Sequence, residues 1–411
     1  MGILNDGRRA RNLVKKVLRG RRARADVLEA LEARGPLPEQ HFRIAVYFSD
    51  GEVNLYQMRQ WYAPLRELSK RYPVLLLARS AGGARALLNE SGLDVAFVPR
   101  VVDLETIVTE QPLQIVLYVN QNTRNFQMMR YGRRWHVFVN HGESDKMYMT
   151  SNQFKTYDYA FVAGDAAKAR LSRALWDYDV EKRTIEIGRP QADHFGGDAP
   201  YPSDDRMVVL YSPTWEGDRP TATYGSVASH GERLVNALLA SGRHRVIYRP
   251  HPRSGVVDAE FGAANERIIA AIGAANEADP SAHHIFDQSP SIGWQLALSD
   301  VAICDISAMI YDRLATGRPL MVTRPANPEA EVDEQGYLSE CEWLTVDDAS
   351  NAVAVLDRVH GDPDARDHVA QWSTRYFGDT TPGAPTKRFH AAIDTLMDRW
   401  EAWNRGEGVI R

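Results

Sequence analysis

The sequence predicts an α/β protein made of two doubly wound, Rossmann-like domains that face each other across a cleft. Three observations carry this expectation. Short apolar runs alternate with segments of helical spacing along most of the chain, the pattern of parallel sheets covered on both faces. The alternation stops near residue 190 and starts again near residue 206. A chain of 411 residues also exceeds what one ordinary hydrophobic core supports.

The elements follow in order. Residues 1–36 read as a basic amphipathic helical arm. Between Met1 and Arg24 nine basic residues stand against one acid, Asp6, and Ile3, Leu4, Leu13, Val14, Val17 and Leu18 fall on one helical face. Such a helix suits an anionic membrane surface; packing of Leu13, Val17 and Leu18 on the protein itself is the alternative. The arm lacks aromatic residues that would stack on bases, so nucleic acid is not an expected partner. A second helical run, Asp26 to Ala33, stops at Gly35-Pro36.

The first domain is expected over 41–190. Arg43–Phe48, Val74–Leu77, Val95–Val98, Ile115–Val119, Val137–Asn140 and Tyr159–Val162 read as strands, and Asn54–Arg71 and Ala81–Glu90 as helices. A short helix is expected from Leu104. Gly188-Arg189-Pro190 closes a strand, and the aperiodic stretch to Asp205 reads as a linker. The second domain is expected over 206–384, with strands at Met207–Tyr211, Arg245–Tyr248, Val301–Cys304 and Leu320–Thr323. Helices are expected at Gly231–Ala240, Asp258–Glu277 and Ser307–Thr316. The segment 385–411, with a helix from His390 to Trp403, is expected to cross back over the first domain.

Composition excludes several classes. The chain is 44% hydrophobic and 25% charged, as in soluble globular proteins. Two cysteines, Cys304 and Cys341, cannot form a disulfide framework, which favours a reducing, cytoplasmic setting. No apolar stretch approaches the ~20 residues that span a bilayer, and the N-terminus lacks the apolar core of a signal peptide. Gly82-Gly83 is no dinucleotide fingerprint. His283-His284 are adjacent and would face opposite sides of a strand. Neither a paired C-x-x-C nor a G-x-S-x-G elbow occurs. No metal or other cofactor is therefore expected.

Two segments carry the chemistry: Val139-Asn140-His141-Gly142-Glu143-Ser144-Asp145-Lys146 and Tyr248-Arg249-Pro250-His251-Pro252-Arg253. Each places a histidine where a strand runs into a loop, and ligands of open α/β sheets sit beyond those strand ends. Lys146, Arg249 and Arg253 nearby suggest a phosphate-bearing ligand. An imidazole that titrates near neutral pH makes His141 a candidate base; a hydrogen bond to backbone at the strand end is the plainer role. Ser307 is a natural N-cap at a helix start that attracts anions.

Four segments together resemble one family. Asn140-His141-Gly142 with Lys146 is similar to its H-G-x-x-x-K segment, and Tyr211-Ser212-Pro213-Thr214-Trp215 to its Y-x-P-T-W segment. Arg249-Pro250-His251-Pro252 is similar to its (K/R)-x-H-P segment. Ser299 to Ala308, with Asp312 on the following helix, resembles its A-D-x-L-I-T-D-Y-S-S segment. This is the family of CDP-glycerol glycerophosphotransferases, which build teichoic acids and related polymers. The order of the segments is the family's own; Ile306 and Ala308 depart from its usual residues.

The resemblance implies the GT-B architecture, a donor nucleotide held by the second domain and an acceptor held by the first. It implies transfer of glycerol phosphate from CDP-glycerol, or a related CDP-alditol, to a hydroxyl of a lipid-linked or polymeric acceptor, with release of CMP. Teichoic acid or capsule-type polymers are the implied products. His141 and His251 are the implied catalytic residues. Lys146, Thr214, Arg253, Asp305 and Ser307 are the implied substrate contacts, Asp305 toward the ribose hydroxyls or the base. Ribitol phosphate, a sugar from a UDP donor, or a non-catalytic scaffold of a wall-polymer assembly remain alternatives. With the arm of residues 1–24 on anionic lipid, the expected location is the inner face of the cell membrane, as a peripheral protein.

Overall fold

The computed structural model describes residues 2–143, 150–289, 292–332 and 336–406, with side chains of the N-terminal helix described from residue 18 onward. Seven strands form the first sheet: β1 (Ile44–Phe48), β2 (Val74–Ala78), β3 (Asp94–Phe97), β4 (Ile115–Tyr118), β5 (Trp135–Phe138), β6 (Tyr159–Val162) and β7 (Thr184–Glu186). Their order is β3-β2-β1-β4-β5-β6-β7. Every pairing in it is parallel, with Ile44 opposite Val74 on one side and Ile115 on the other. Six strands form the second sheet: β8 (Met207–Ser212), β9 (His244–Tyr248), β10 (Ile285–Phe286), β11 (Val301–Cys304), β12 (Leu320–Thr323) and β13 (Glu342–Leu344), in the order β10-β9-β8-β11-β12-β13. These pairings are parallel as well.

Side-chain alternation along a strand explains why both faces are apolar. Ile44, Val46 and Phe48 of β1 enter one core, and Ala45 and Tyr47 enter the core on the opposite face. In β8, Val208 and Leu210 go one way, Val209 and Tyr211 the other. Parallel strands buried on both faces read as continuous apolar runs, which is why these strands are visible in the sequence.

Three departures from expectation have local causes. The arm and the second helical run are one helix, Gly2–Arg34, whose later turns lie against the helix Ala81–Glu90; Arg85 joins the two through Asp26 at 3.2 Å. The expected helix from Asn54 to Arg71 is instead a 3₁₀ turn and two helices, Tyr56–Arg59 and Tyr62–Ser69. Pro64 forces the break, because its ring would meet the carbonyl of Gln60 in a continuous helix. The last helix begins earlier than expected, at Ala384, and runs to Asn404.

That last helix lies on the first sheet's side of the molecule. Phe389, Ile393, Leu396 and Met397 join the core of Val46, Trp61 and Phe161. Trp135 Nε1 donates to the Leu396 carbonyl at 2.9 Å, and Asp193 caps the helix start through Gly383 N at 2.9 Å and Thr386 N at 2.8 Å. Where the chain leaves β7, Gly188 has φ +69°, and a Cβ there would stand 3.0 Å from the Phe377 carbonyl. Positive φ and the close backbone together require glycine.

One ion pair ties the halves together. Arg189, just after β7, pairs with Asp312 in the helix that follows β11, and both side chains are buried. Removing one partner of such a pair leaves a buried charge uncompensated. Asp312→Ala should therefore cost about 3–5 kcal/mol of stability, and the double substitution Arg189→Met with Asp312→Leu should cost less. Urea unfolding of the single and double variants measures the difference; equal losses would mean the pair is solvated in practice.

Candidate functional site

The residues singled out in the sequence stand at the carboxyl ends of parallel strands: His141 beyond β5, Thr214 beyond β8, His251 beyond β9, Asp305 and Ser307 beyond β11. Lys146 lies outside the described residues.

His141 is held with a defined proton. Its Nδ1 lies 2.8 Å from the carbonyl oxygen of Val119, at the end of β4. A carbonyl only accepts, so Nδ1 carries the hydrogen and Nε2 of the neutral ring carries the lone pair. Burial pushes the imidazole below its ordinary pKa; the bond to Val119 opposes this and the Arg189 guanidinium adds to it. The Tyr56 ring meets the imidazole edge-on at 5.8 Å. Asn140, one residue before, has φ +56°, a left-handed conformation that asparagine tolerates better than most side chains. Trp61 Nε1 donates to its carbonyl and fixes the turn. A cavity below this loop is lined by Trp61, Asn140, Glu143, Arg170 and Arg189, and Glu143 and Arg170 form a buried ion pair.

His251 has the opposite proton arrangement. The backbone N–H of Arg253 donates to its Nδ1 at 3.1 Å, so the hydrogen of the neutral ring is on Nε2. Its own backbone N–H donates to the Pro213 carbonyl at 3.1 Å, which ties the two loops together. The exposed Arg253 guanidinium stacks over the Trp215 ring, 3.8 Å from the centroid, and that ring lies 6.5 Å from His251. Arg249, by contrast, is engaged with Asp287 and with both oxygens of Ser289.

Asp305 behaves differently from a ligand contact. It is fully buried. One oxygen accepts from the backbone N–H of Thr214 at 2.8 Å and of Ser226 at 2.9 Å, and the other accepts from the Thr323 hydroxyl. With both oxygens engaged inside the protein, it shapes the loop that carries Thr214 in place of meeting ribose or base. Ser307 caps the helix Ala308–Leu314, its oxygen accepting from Met309 N at 3.3 Å. Asp312, on the same helix, meets Arg189 instead of a ligand.

Two residues escaped the sequence reading. Arg189 sits in an aperiodic turn, and its only signal there is a charge between Gly188 and Pro190. It also reaches Gln60 Oε1 at 3.4 Å. Glu216 follows Trp215 directly, yet a lone acid in a loop has no distinguishing pattern. Its carboxylate accepts from Gly255 N at 3.0 Å, Val257 N at 2.6 Å and Asp258 N at 3.1 Å. Burial works against its charge, but these backbone donors outweigh it and hold the carboxyl below its ordinary pKa. Glu216 thereby closes the loop that presents His251 and Arg253.

A contact chain thus runs from His141 past Arg189 to Asp312, along its helix to Ser307, and through Asp305 and Thr214 to His251. Among the described residues no group of three or more His, Cys, Asp or Glu is placed to hold a metal ion, and no helix is long and apolar enough to cross a membrane.

Two parallel sheets with ligand-binding strand ends facing one another define the GT-B class. Solved structures of this shape include the wall teichoic acid polymerase TagF, at 14% identity, TM-score 0.58, and coverage of 98% of this chain and 100% of that one. A putative UDP-N-acetylglucosamine 2-epimerase from Listeria monocytogenes matches at 15% identity and TM-score 0.57, covering 87% of this chain and 97% of that one. The MnaA–UDP structure from S. aureus matches at 13% identity and TM-score 0.51, with 87% and 97% covered. No curated protein matches the chain. The CDP-glycerol:poly(glycerophosphate) glycerophosphotransferase family matches residues 101–327, more than half of the sequence. The chain belongs to that family and is an enzyme of this class.

Burial pushes the Asp305 pKa up to about 6, against the pull of its Ser226, Thr323 and Thr214 hydrogen bonds. Between pH ~4 and ~6 the folded protein keeps a proton that the unfolded chain has released, so stability from this group falls as pH rises through that window. Asp305→Asn can keep the same contacts, with its amide donating to Thr323, and should flatten this dependence. Thermal unfolding across pH 4–7 reads it; identical slopes for both proteins would mean Asp305 is ionised throughout.

Proposed function

We propose that the enzyme transfers glycerol phosphate from CDP-glycerol to a hydroxyl of a lipid-linked or polymeric acceptor in teichoic acid synthesis, releasing CMP. The acceptor belongs to the first domain, 41–190, and the donor to the second, 206–384. The observation that carries this reading is the pair of opposite histidine tautomers at the two sets of strand ends: a lone pair on His141 Nε2 and a hydrogen on His251 Nε2.

His141 Nε2 accepts the proton of the acceptor hydroxyl. The acceptor oxygen forms a bond to the phosphorus that bears glycerol, and the bond from that phosphorus to the bridging oxygen breaks. CMP leaves with the electron pair. His251 Nε2–H donates to the departing phosphate, and Arg253 offers two parallel donors while its face rests on Trp215. Thr214 and Ser307 complete the diphosphate site at the ends of β8 and β11, with Lys146 on the acceptor side. Positioning and charge compensation supply most of the rate in such transfers. A neutral imidazole at working pH suits a base, and its lowered pKa keeps His141 neutral into mildly acid solution.

His141→Ala should reduce turnover by ~10²–10⁴-fold with little change in donor affinity. His251→Ala and Arg253→Ala should weaken CDP-glycerol binding and also slow the chemical step, since the charge on CMP goes uncompensated. Turnover with a panel of CDP-alditols and UDP-sugars, scored by the nucleotide released, tests the donor. UDP release, or wild-type rates in folded His141→Ala protein, would defeat the proposal.

The basic helical arm holds the enzyme at anionic lipid, where a lipid-linked acceptor resides. Each basic residue near the surface contributes about 1 kcal/mol, screened by salt. Deleting residues 1–24 should abolish co-sedimentation with anionic vesicles and leave activity on a short soluble acceptor intact. Equal sedimentation of both proteins would assign the arm a purely structural role.

A further inference from the structure

We propose that the crevice at the carboxyl ends of β1 and β4 binds a vicinal diol, with Asp50 accepting the hydroxyl adjacent to the one that attacks. This rests on the reading of His141 as the base and names what the acceptor presents to it.

In the first sheet the strand order reverses between β1 and β4, and such a switch point opens a crevice beyond the strand ends. Asp50 lies two residues beyond β1, and Asn120 and Asn122 two and four residues beyond β4. Asn120 Nδ2 donates to Asp50 Oδ2 at 2.8 Å, and Asn122 Nδ2 donates to Asp50 Oδ1 at 2.7 Å. Each oxygen thus takes one neutral amide donor. A carboxylate has about four acceptor positions, so this half-exposed group retains capacity for a ligand hydroxyl. Its partners are amides, not a cation, and its charge is left to strengthen a hydrogen bond from that hydroxyl.

The site is built rigidly. The Ser80 hydroxyl donates to the Asp50 carbonyl at 2.7 Å. A Cβ at Gly83 would come within 2.9 Å of the same carbonyl, so a larger residue there would displace the loop. Asn120 also donates to Gln57 Oε1 at 2.7 Å, and Gln57 donates to the Tyr56 hydroxyl at 3.3 Å. The half-exposed Tyr56 ring is the one that meets His141.

One short stretch of chain after β4 holds both the base and the carboxylate. Val119 fixes Nδ1 of His141, and Asn120, the next residue, fixes Asp50. A strand end that orients both groups suits a ligand with two adjacent hydroxyls, one losing its proton to the imidazole and one donating to the carboxylate without reacting. A chain ended by glycerol is such a ligand: its primary hydroxyl attacks and its secondary hydroxyl is held.

Two soluble probes separate this from a structural role: a short glycerol phosphate oligomer, and the same oligomer ended by 1,3-propanediol, which lacks the secondary hydroxyl. A hydrogen bond to a charged group corresponds to about a 10- to 100-fold preference in kcat/KM for the glycerol-ended probe. Asp50→Asn should bring that preference close to unity with CDP-glycerol affinity unchanged. Asp50→Glu, which keeps the charge but moves it by one methylene, should lose most of it too. Calorimetric binding of both probes to His141→Ala protein reads the same preference without turnover, so an error about the base does not mask the result. Equal affinity of the probes for that protein, or a preference that persists in both Asp50 variants, would overturn the proposal.

Discussion

A buried guanidinium from one half of the molecule faces a buried carboxylate from the other, and the geometry of the cleft depends on that contact. Taking two ions out of water costs several kcal/mol each, and the attraction between Arg189 and Asp312 offsets part of that cost. Arg189 meets Asp312, reaches Gln60, and lies beside the Gly142 turn, where a Cβ would stand 3.7 Å from its Nη1. The same charge contributes to keeping His141 neutral. Spacing between the halves and protonation at the strand end are therefore not independent quantities here.

Around this contact the acidic and basic residues divide their tasks. Buried or shielded carboxylates brace the backbone: Asp305 takes N–H groups from Thr214 and Ser226, Glu216 from the 255–258 turn, and Asp193 from the start of the last helix. The cation at the rim, Arg253, is exposed and stacked on an aromatic face. These three carboxylates are thus engaged with main chain, while the Arg253 guanidinium stays at the surface.

Much of the fold was legible in the sequence for a definite reason. Strands buried on both faces give continuous apolar runs, and eleven of the thirteen strands among the described residues lie at or beside such runs or at the Gly-Arg-Pro turn that closes β7. The two unseen strands, β10 and β13, are the sheet's outer members, two and three residues long; so little backbone leaves no period to detect. The histidines were visible because a strand that ends in His-Gly or His-Pro is a local pattern. Their tautomers were not, since each depends on a backbone group outside the ring's own residue: Val119 for His141, Arg253 for His251. Arg189, Asp312 and the true place of Asp305 depend on contacts more than ninety residues away in the chain for the two ion-pair partners and for Thr214. No spacing rule reaches that far.

The last helix has a consequence for how the protein is made. Its apolar side, from Phe389 to Met397, covers part of the core built by residues of β1, β2 and the Trp61 turn. That core is otherwise complete once β7 has been synthesised, about two hundred residues earlier. At roughly 5–20 residues per second, the nascent chain carries an uncovered hydrophobic face for about 10–40 s. The first sheet leaves the ribosome as an unfinished surface, and the second half of the chain is, in time, the delay before its lid arrives. A protein so arranged invites chaperone attention during that interval, and a premature stop near the C-terminus would strand the exposed face permanently.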